Sequence, residues 1–145
     1  MTRSARARAD AWCSIRSSSS SIRASLTGSW RTSRPRRIGA LFEHLVFNQI
    51  FDEAAARDQD VRLSSYRTEN GAEADLIFER GPQTWAIELK ASSHVRTEDL
   101  RGLRSFREFH GKKHRQAVFY LGEVRKDLGD ISLFPWKDGV NELFC

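Results

Sequence analysis

Cysteine is too scarce in this 145-residue chain to hold it together. Cys13 and Cys145 lie near opposite ends, outside any CxxC pattern, and a lone distant pair is no disulfide framework. Long apolar runs are missing as well: none approaches the roughly 20 residues that span a bilayer, so no membrane helix is expected. The start carries no apolar signal segment, and a reducing cytoplasm is the expected setting. Nor is there a surplus of positive charge where it would matter most. The net charge is +5, yet residues 1–37 hold nine arginines against the single acid Asp10, a charge of +8. Subtracting +8 from +5 leaves −3 for residues 38–145. Global basicity therefore carries no argument for nucleic-acid binding, and any such argument has to come from a site.

What is present divides at about residue 38. Residues 1–37 are rich in Arg and Ser, including five consecutive serines at 17–21, with few large apolar residues and no periodic spacing. A segment of this kind buries too little to offset its ordering entropy, and a solvated tail is expected. The same composition suits a transit peptide, a basic nucleic-acid-binding arm, or a stretch that is not native coding sequence. Pro35 and Arg36-Arg37 mark the boundary. From Ile38 onward, Leu41, Phe42, Leu45, Val46, Gln49 and Ile50 recur at three- and four-residue spacing, which predicts an amphipathic helix over 38–57. Extended runs follow at 61–68, 73–79 and 84–91. Asn70-Gly71 between the first two is a hairpin signal, and Gly81-Pro82 turns the chain into the third. A helix is predicted over 97–109, with Glu98 and Asp99 suiting its positive end. Ala117 to Leu121 reads as a central strand covered on both faces. A short strand near 131–134 and a helical turn near 139–143 close the chain. The predicted order is α-β-β-β-α-β with a small addition, an α/β fold (α+β, mixed sheet) in which helices flank a central sheet.

The chemistry concentrates on the second and third strands. Period two places Glu88 and Lys90 on one face, about 7 Å apart at Cα, with Trp85, Ile87 and Leu89 on the other. If the strands pair, Asp75 sits beside Glu88. Acids flanked by Ala74 and Leu76, and by Ile87 and Leu89, are costly unless paired or bound to a cation. Lys90 offers one partner, a structural ion-pair cluster. Carboxylate outnumbers ammonium, however, and Mg²⁺ or Mn²⁺ would resolve the excess with oxygen ligands. Glu43, on the first helix close to its apolar stripe, is a further ligand candidate reaching down onto the sheet. His44, His94, His110 and His114 are not spaced as a zinc set, and His110 and His114 read as an exposed turn. Arg67 is either a phosphate contact or half of a surface ion pair. Arg101, Arg104 and Arg107 repeat at three-residue spacing, either as a backbone-contacting stripe or as a solvated helix face.

The pattern Asp75…Glu88-x-Lys90, following an acid-bearing helix, resembles the PD-(D/E)XK restriction-endonuclease-like superfamily. Gly39-Ala40-Leu41-Phe42-Glu43, Tyr66-Arg67-Thr68, Gly71-Ala72-Glu73-Ala74-Asp75, Ile87-Glu88-Leu89-Lys90-Ala91 and Leu100-Arg101-Gly102-Leu103 resemble, more narrowly, the uncharacterised C-terminal domain found behind many prokaryotic AAA-type ATPases. The resemblance spans about residues 38–145. It implies a restriction-endonuclease-like αβββαβ core in which Asp75 and Glu88 hold a divalent metal, Glu43 completes the shell, and Lys90 positions or activates the attacking water. Ala74 stands where the superfamily's name has proline, and no GxxxxGK[ST] phosphate loop accompanies the domain. The chain therefore reads as a fragment, a detached domain or a misread start.

The expected function is Mg²⁺- or Mn²⁺-dependent hydrolysis of phosphodiester bonds in DNA, or in RNA. Glu43, Asp75, Glu88 and Lys90 would be catalytic, and Arg67, Arg101 and Arg104 would contact nucleic acid. The rival expectation is a non-catalytic module that binds DNA or docks on protein for an AAA-type ATPase absent from this chain. A truncated product without a function of its own is the third.

Overall fold

A computed structural model of the chain describes residues 35–145. The expectations for residues 1–34 lie outside the described residues. Helix α1 runs over Pro35–Ala56, three residues earlier than its apolar spacing predicts. Proline is tolerated in a first helical turn, where its missing N–H has no partner to lose and its fixed φ is already helical, so Pro35 opens the helix instead of bounding it. The buried stripe is also narrower than expected. Phe42, Val46, Ile50 and Ala54 are buried at strict four-residue spacing, whereas Ile38, Leu41 and Leu45 face outward.

Three antiparallel strands follow: β1 (Arg62–Arg67), β2 (Glu73–Arg80) and β3 (Gln83–Lys90). The first hairpin is longer than a two-residue Asn-Gly turn. Gly71 has φ 73°, but Asn70 does not share the positive φ that such a turn demands. Gly71 N–H instead donates to the Thr68 carbonyl at 3.0 Å, and Thr68 Oγ1 accepts the Ala72 N–H at 3.0 Å. This is a three-residue loop closed by a left-handed glycine, the next most favoured hairpin solution. The second hairpin turns on Gly81-Pro82, with Gly81 at φ 55°.

Parallel pairing of β3 with β4 (Arg115–Tyr120) requires a crossover. It is supplied by a 3₁₀ turn (Thr97–Leu100) running into helix α2 (Arg101–His110), which stops at Gly111 in the left-handed conformation. β6 (Ile131–Pro135) continues the sheet in parallel beside β4, and helix α3 (Trp136–Leu143) starts three residues ahead of the predicted turn. The short strand β5 (Lys126–Leu128) pairs antiparallel on the outer side of β6. Being exposed throughout, it has no alternation by which sequence could have found it. The sheet order is β1-β2-β3-β4-β6-β5, and the expected αβββαβ order is the order found. No helix among the described residues is long and apolar enough to cross a membrane.

Two cores form, one per face. Leu76, Phe78, Trp85, Ile87, Leu89 and Phe119 pack under α1 and α3. Ala74, Ile77, Ala86, Val118 and Tyr120 pack under α2 through Leu100, Leu103 and Phe106. Helix α2 is pressed onto the start of β2 at Gly102, where an added Cβ would lie 1.5 Å from the Glu73 carbonyl oxygen. That oxygen belongs to the backbone and has no rotamer with which to yield. Gly102→Ala is therefore expected to destabilise the domain by about 3 kcal/mol, at the upper end of ordinary overpacking, read as a lower urea midpoint. An unchanged midpoint would show that the helix is free to slide.

Candidate active site at a split in the sheet

Strands β2 and β3 are hydrogen-bonded from Arg80↔Gln83 to Leu76↔Ile87 and then part. Their outer partners do not. β1 follows β2 down to Arg67↔Glu73, and β4 follows β3 up to Lys90↔Tyr120. The sheet thus forks, and the fork lies between the start of β2, bearing Glu73 and Asp75, and the end of β3, bearing Glu88 and Lys90. The Leu89 N–H, which a continued ladder would pair with β2 backbone, donates instead to Asp75 Oδ2 at 2.7 Å. A side chain replaces a carbonyl at this point, which fixes the Asp75 carboxylate in the opening.

Glu88 and Lys90 share the α2 face with Ala86, Val118 and Tyr120, as period two requires. Glu88 Oε2 is buried and has no hydrogen-bond partner, alone in this among the side-chain polar atoms of the described residues. Lys90 does not neutralise it. Its ammonium pairs with Asp99 Oδ1, at the end of the 3₁₀ turn. The other Asp99 oxygen accepts the Arg96 N–H at 2.8 Å. The lysine's closest partner is therefore a third acid, and ionisation of both Asp75 and Glu88 is left without a cation paired to either.

The carboxyl pKa values follow from this placement. Burial, opposed by the Leu89 N–H and reinforced by Glu43 and Glu73, raises Asp75 from 3.8 to about 6. Burial, together with the Asp75 charge, raises Glu88 from 4.5 to about 8, with Lys90 pulling the other way. Glu43 is raised by partial burial of its carboxyl and by the Glu73 charge, although the residue as a whole is exposed on α1. Burial would raise Asp99 too, but hydrogen bonds from Lys90 and the Arg96 N–H outweigh it and hold it below the usual carboxylate range.

Asp75 thus interacts electrostatically with Glu43, Glu88 and Lys90, and Glu88 with Lys90. Two residues that sequence reasoning passed over join them. Glu73 precedes Asp75 by two, a spacing that could have placed it on the same side. Asp99 was legible only as an acid at a helix start, because nothing in a nine-residue separation from Lys90 announces a contact. Among the described residues, no three His, Cys, Asp or Glu side chains are gathered so as to hold a metal ion. The donors closest to such a role are the Asp75 and Glu88 oxygens, hard ligands of the kind Mg²⁺ takes one or two at a time alongside water and phosphate.

The three arginines expected at nucleic acid have different surroundings. Arg67 pairs with Glu73. Arg101 donates to the Asn70 carbonyl at 2.8 Å, tying α2 to the first hairpin while keeping its charge unneutralised. Arg104 is exposed. Arg107, the third member of the stripe, pairs with Asp130 at 2.8 Å. His110 and His114 do not form an open turn: both rings lie against Phe106, at 5.0 and 5.2 Å between centroids.

The sequence matches the family model described as "Domain of unknown function (DUF4143)" over residues 38–138. No curated protein matches. Among solved structures, Hjc of Archaeoglobus fulgidus, a Holliday junction resolvase, is similar over 63% of this chain and 79% of its own, at 13% identity and a TM-score of 0.38. At that distance nothing of the resolvase's activity passes to this chain.

Proposed function

The chain belongs to the DUF4143 family, whose description carries no activity, and from the site alone we propose that it is a metal-dependent nuclease-type domain hydrolysing phosphodiester bonds, with DNA the favoured substrate. The observation that carries this reading is the uncompensated Asp75–Glu88 pair in the fork, with a buried Glu88 oxygen that has no partner. A buried carboxylate without a partner is expensive, and a hard cation is the ligand that would relieve it. Mg²⁺ or Mn²⁺ held by Asp75 and Glu88, with Glu43 at the rim, would supply positive charge toward a phosphate and acidity to a water molecule. The chain's own groups do the rest. Asp75 is oriented by the Leu89 N–H, and Lys90 is held at the fork by Asp99, within reach of charge that builds on a phosphate.

A second reading draws on the lack, among the described residues, of a ready three-carboxylate cluster and on the engagement of Lys90 by Asp99. Under it the fork is structural, and the domain binds nucleic acid or docks on an AAA-type ATPase without cutting. The two readings separate on metal. Under the first, millimolar Mg²⁺ or Mn²⁺ raises the melting temperature by several degrees, since a ligand at about 100 times its Kd contributes about 2.7 kcal/mol. Asp75→Asn and Glu88→Gln each abolish the rise, and with it the cleavage of plasmid and oligonucleotide DNA. A melting temperature indifferent to metal would favour the second reading.

A further inference from the structure

Among the described residues Phe109 is the most exposed of the large apolar side chains, 73% accessible near the end of α2. Its ring lies 5.3 Å from that of Tyr66 at an interplanar angle of 35°, a tilted near-stack. Tyr66 is itself fixed, its hydroxyl 3.1 Å from Ser105 Oγ and its ring edge-on to Phe106 at 5.2 Å. An exposed aromatic backed by an immobilised one is a rigid flat surface with little side-chain entropy left to lose. Its surroundings are cationic. Of the six Lys or Arg in residues 101–115, Arg107 and Arg115 pair with Asp130 and Glu142, which leaves Arg101, Arg104, Lys112 and Lys113 against one acid, Glu108. Arg101 and Arg104 precede the ring on the same helix, and Lys112 and Lys113 follow it. The surface also adjoins the fork: Tyr66 pairs with Ala74, the residue before Asp75.

We infer that Phe109, backed by Tyr66 and carried on a helix that also bears Arg101 and Arg104, is a stacking platform for the unpaired bases of a nucleic-acid strand. This deepens the nuclease reading by naming a substrate class, and it rests on that reading for the strand's course toward Asp75 and Glu88. Every base has a π-face, so stacking holds a single strand without regard to sequence, while the cations hold its phosphates. A continuous duplex, with its bases already stacked on one another, offers the platform nothing.

The test is fluorescence anisotropy with the full chain in EDTA, where metal-dependent cleavage cannot intervene, using a labelled oligothymidylate and a blunt duplex of the same length. Phe109→Ala is expected to weaken oligothymidylate binding about ten-fold and to leave the duplex unaffected, as loss of one base–aromatic contact predicts. Phe109→Trp should keep the affinity, and Arg104→Ala should weaken both probes and flatten their salt dependence. Equal weakening of both probes by Phe109→Ala, unchanged binding of the single strand, or a wild-type protein that ignores oligothymidylate would overturn the platform. So would a wild-type dimer in gel filtration that Phe109→Ala turns into a monomer, which would assign the face to a second copy. Phe109 is exposed, so the variant should melt like the wild type. Because no metal is present, failure here and failure of metal-dependent cleavage are read separately.

Discussion

Without divalent metal, the folded domain is expected to lose on the order of 3 kcal/mol of stability between about pH 5 and about pH 9, a fall in melting temperature of roughly 10–20 °C. The sign follows from two carboxyls that bind protons more tightly folded than unfolded. Asp75 moves from 3.8 to about 6 and Glu88 from 4.5 to about 8. Between about pH 4 and about pH 8 the native state therefore holds more protons than the unfolded chain, and stability falls as pH rises. Their contribution is complete below the unfolded values and is gone once the pH passes the folded value of Glu88. Asp99 works in the opposite sense. Its lowered pKa gives stability that is lost on acidification, which closes the window from below. Glu88→Gln removes the ionisation with the larger shift, and most of the slope should go with it. Saturating Mg²⁺ should invert the slope in the wild type, since the ion competes with protons for the same oxygens. A melting temperature that holds flat or climbs from pH 5 to pH 9 in EDTA would mean that the fork is wetter than its geometry indicates.

The strand placement of the candidate site's residues was legible in the sequence. Alternation alone assigned Glu88 and Lys90 to one face, and the β2–β3 hairpin then brought Asp75 level with Glu88. The fork itself was not legible. Strand pairing is read from patterns that persist, but β2 is irregular here: its register against β1 shifts between Ser64 and Tyr66, Ala74 and Leu76 enter opposite cores, and the ladder to β3 stops at Leu76↔Ile87. The partner of Lys90 was hidden for a different reason. Asp99 reaches it from the crossover, and the packing of that crossover on the sheet is set by Gly102 against the Glu73 carbonyl, a tertiary contact that no local period encodes. The over-wide apolar stripe on α1 has a third cause. Three- and four-residue spacing marks every apolar position as a core candidate, but the helix meets the sheet along one line, Phe42-Val46-Ile50-Ala54, and leaves its neighbours outside. The exposure of Phe109 escaped because one outward aromatic beside the buried Phe106 has no spacing of its own to betray it.

Lys90→Ala is expected to lower the cleavage rate by about two to four powers of ten while leaving DNA affinity nearly intact, as for other positioned electrostatic groups. Lys90 ends β3 beside Glu88, and its ammonium is held there by Asp99 rather than by the carboxylates in the fork. A charge held in place beforehand needs no reorganisation as negative charge builds on the phosphate, so its effect belongs to the rate more than to binding. Loss of the lysine also strips Asp75 and Glu88 of the one neighbouring cation that lowers both their pKa values. The variant should therefore melt lower in EDTA and recover in excess Mg²⁺, and rates have to be compared under the second condition. Lys90→Arg separates the two roles. The guanidinium restores the charge and can still pair with Asp99, so stability should return, but its wide planar fork does not reproduce a compact ammonium and the rate should stay low. Single-turnover cleavage of labelled DNA, with affinity measured in parallel, reads all three proteins. A Lys90→Ala protein that is folded in Mg²⁺, binds DNA and cuts at the wild-type rate would remove the lysine from the reaction. A wild-type protein that binds but cuts with neither Mg²⁺ nor Mn²⁺ would transfer the site to the docking reading, with the Lys90–Asp99 pair as a fastening between crossover and sheet.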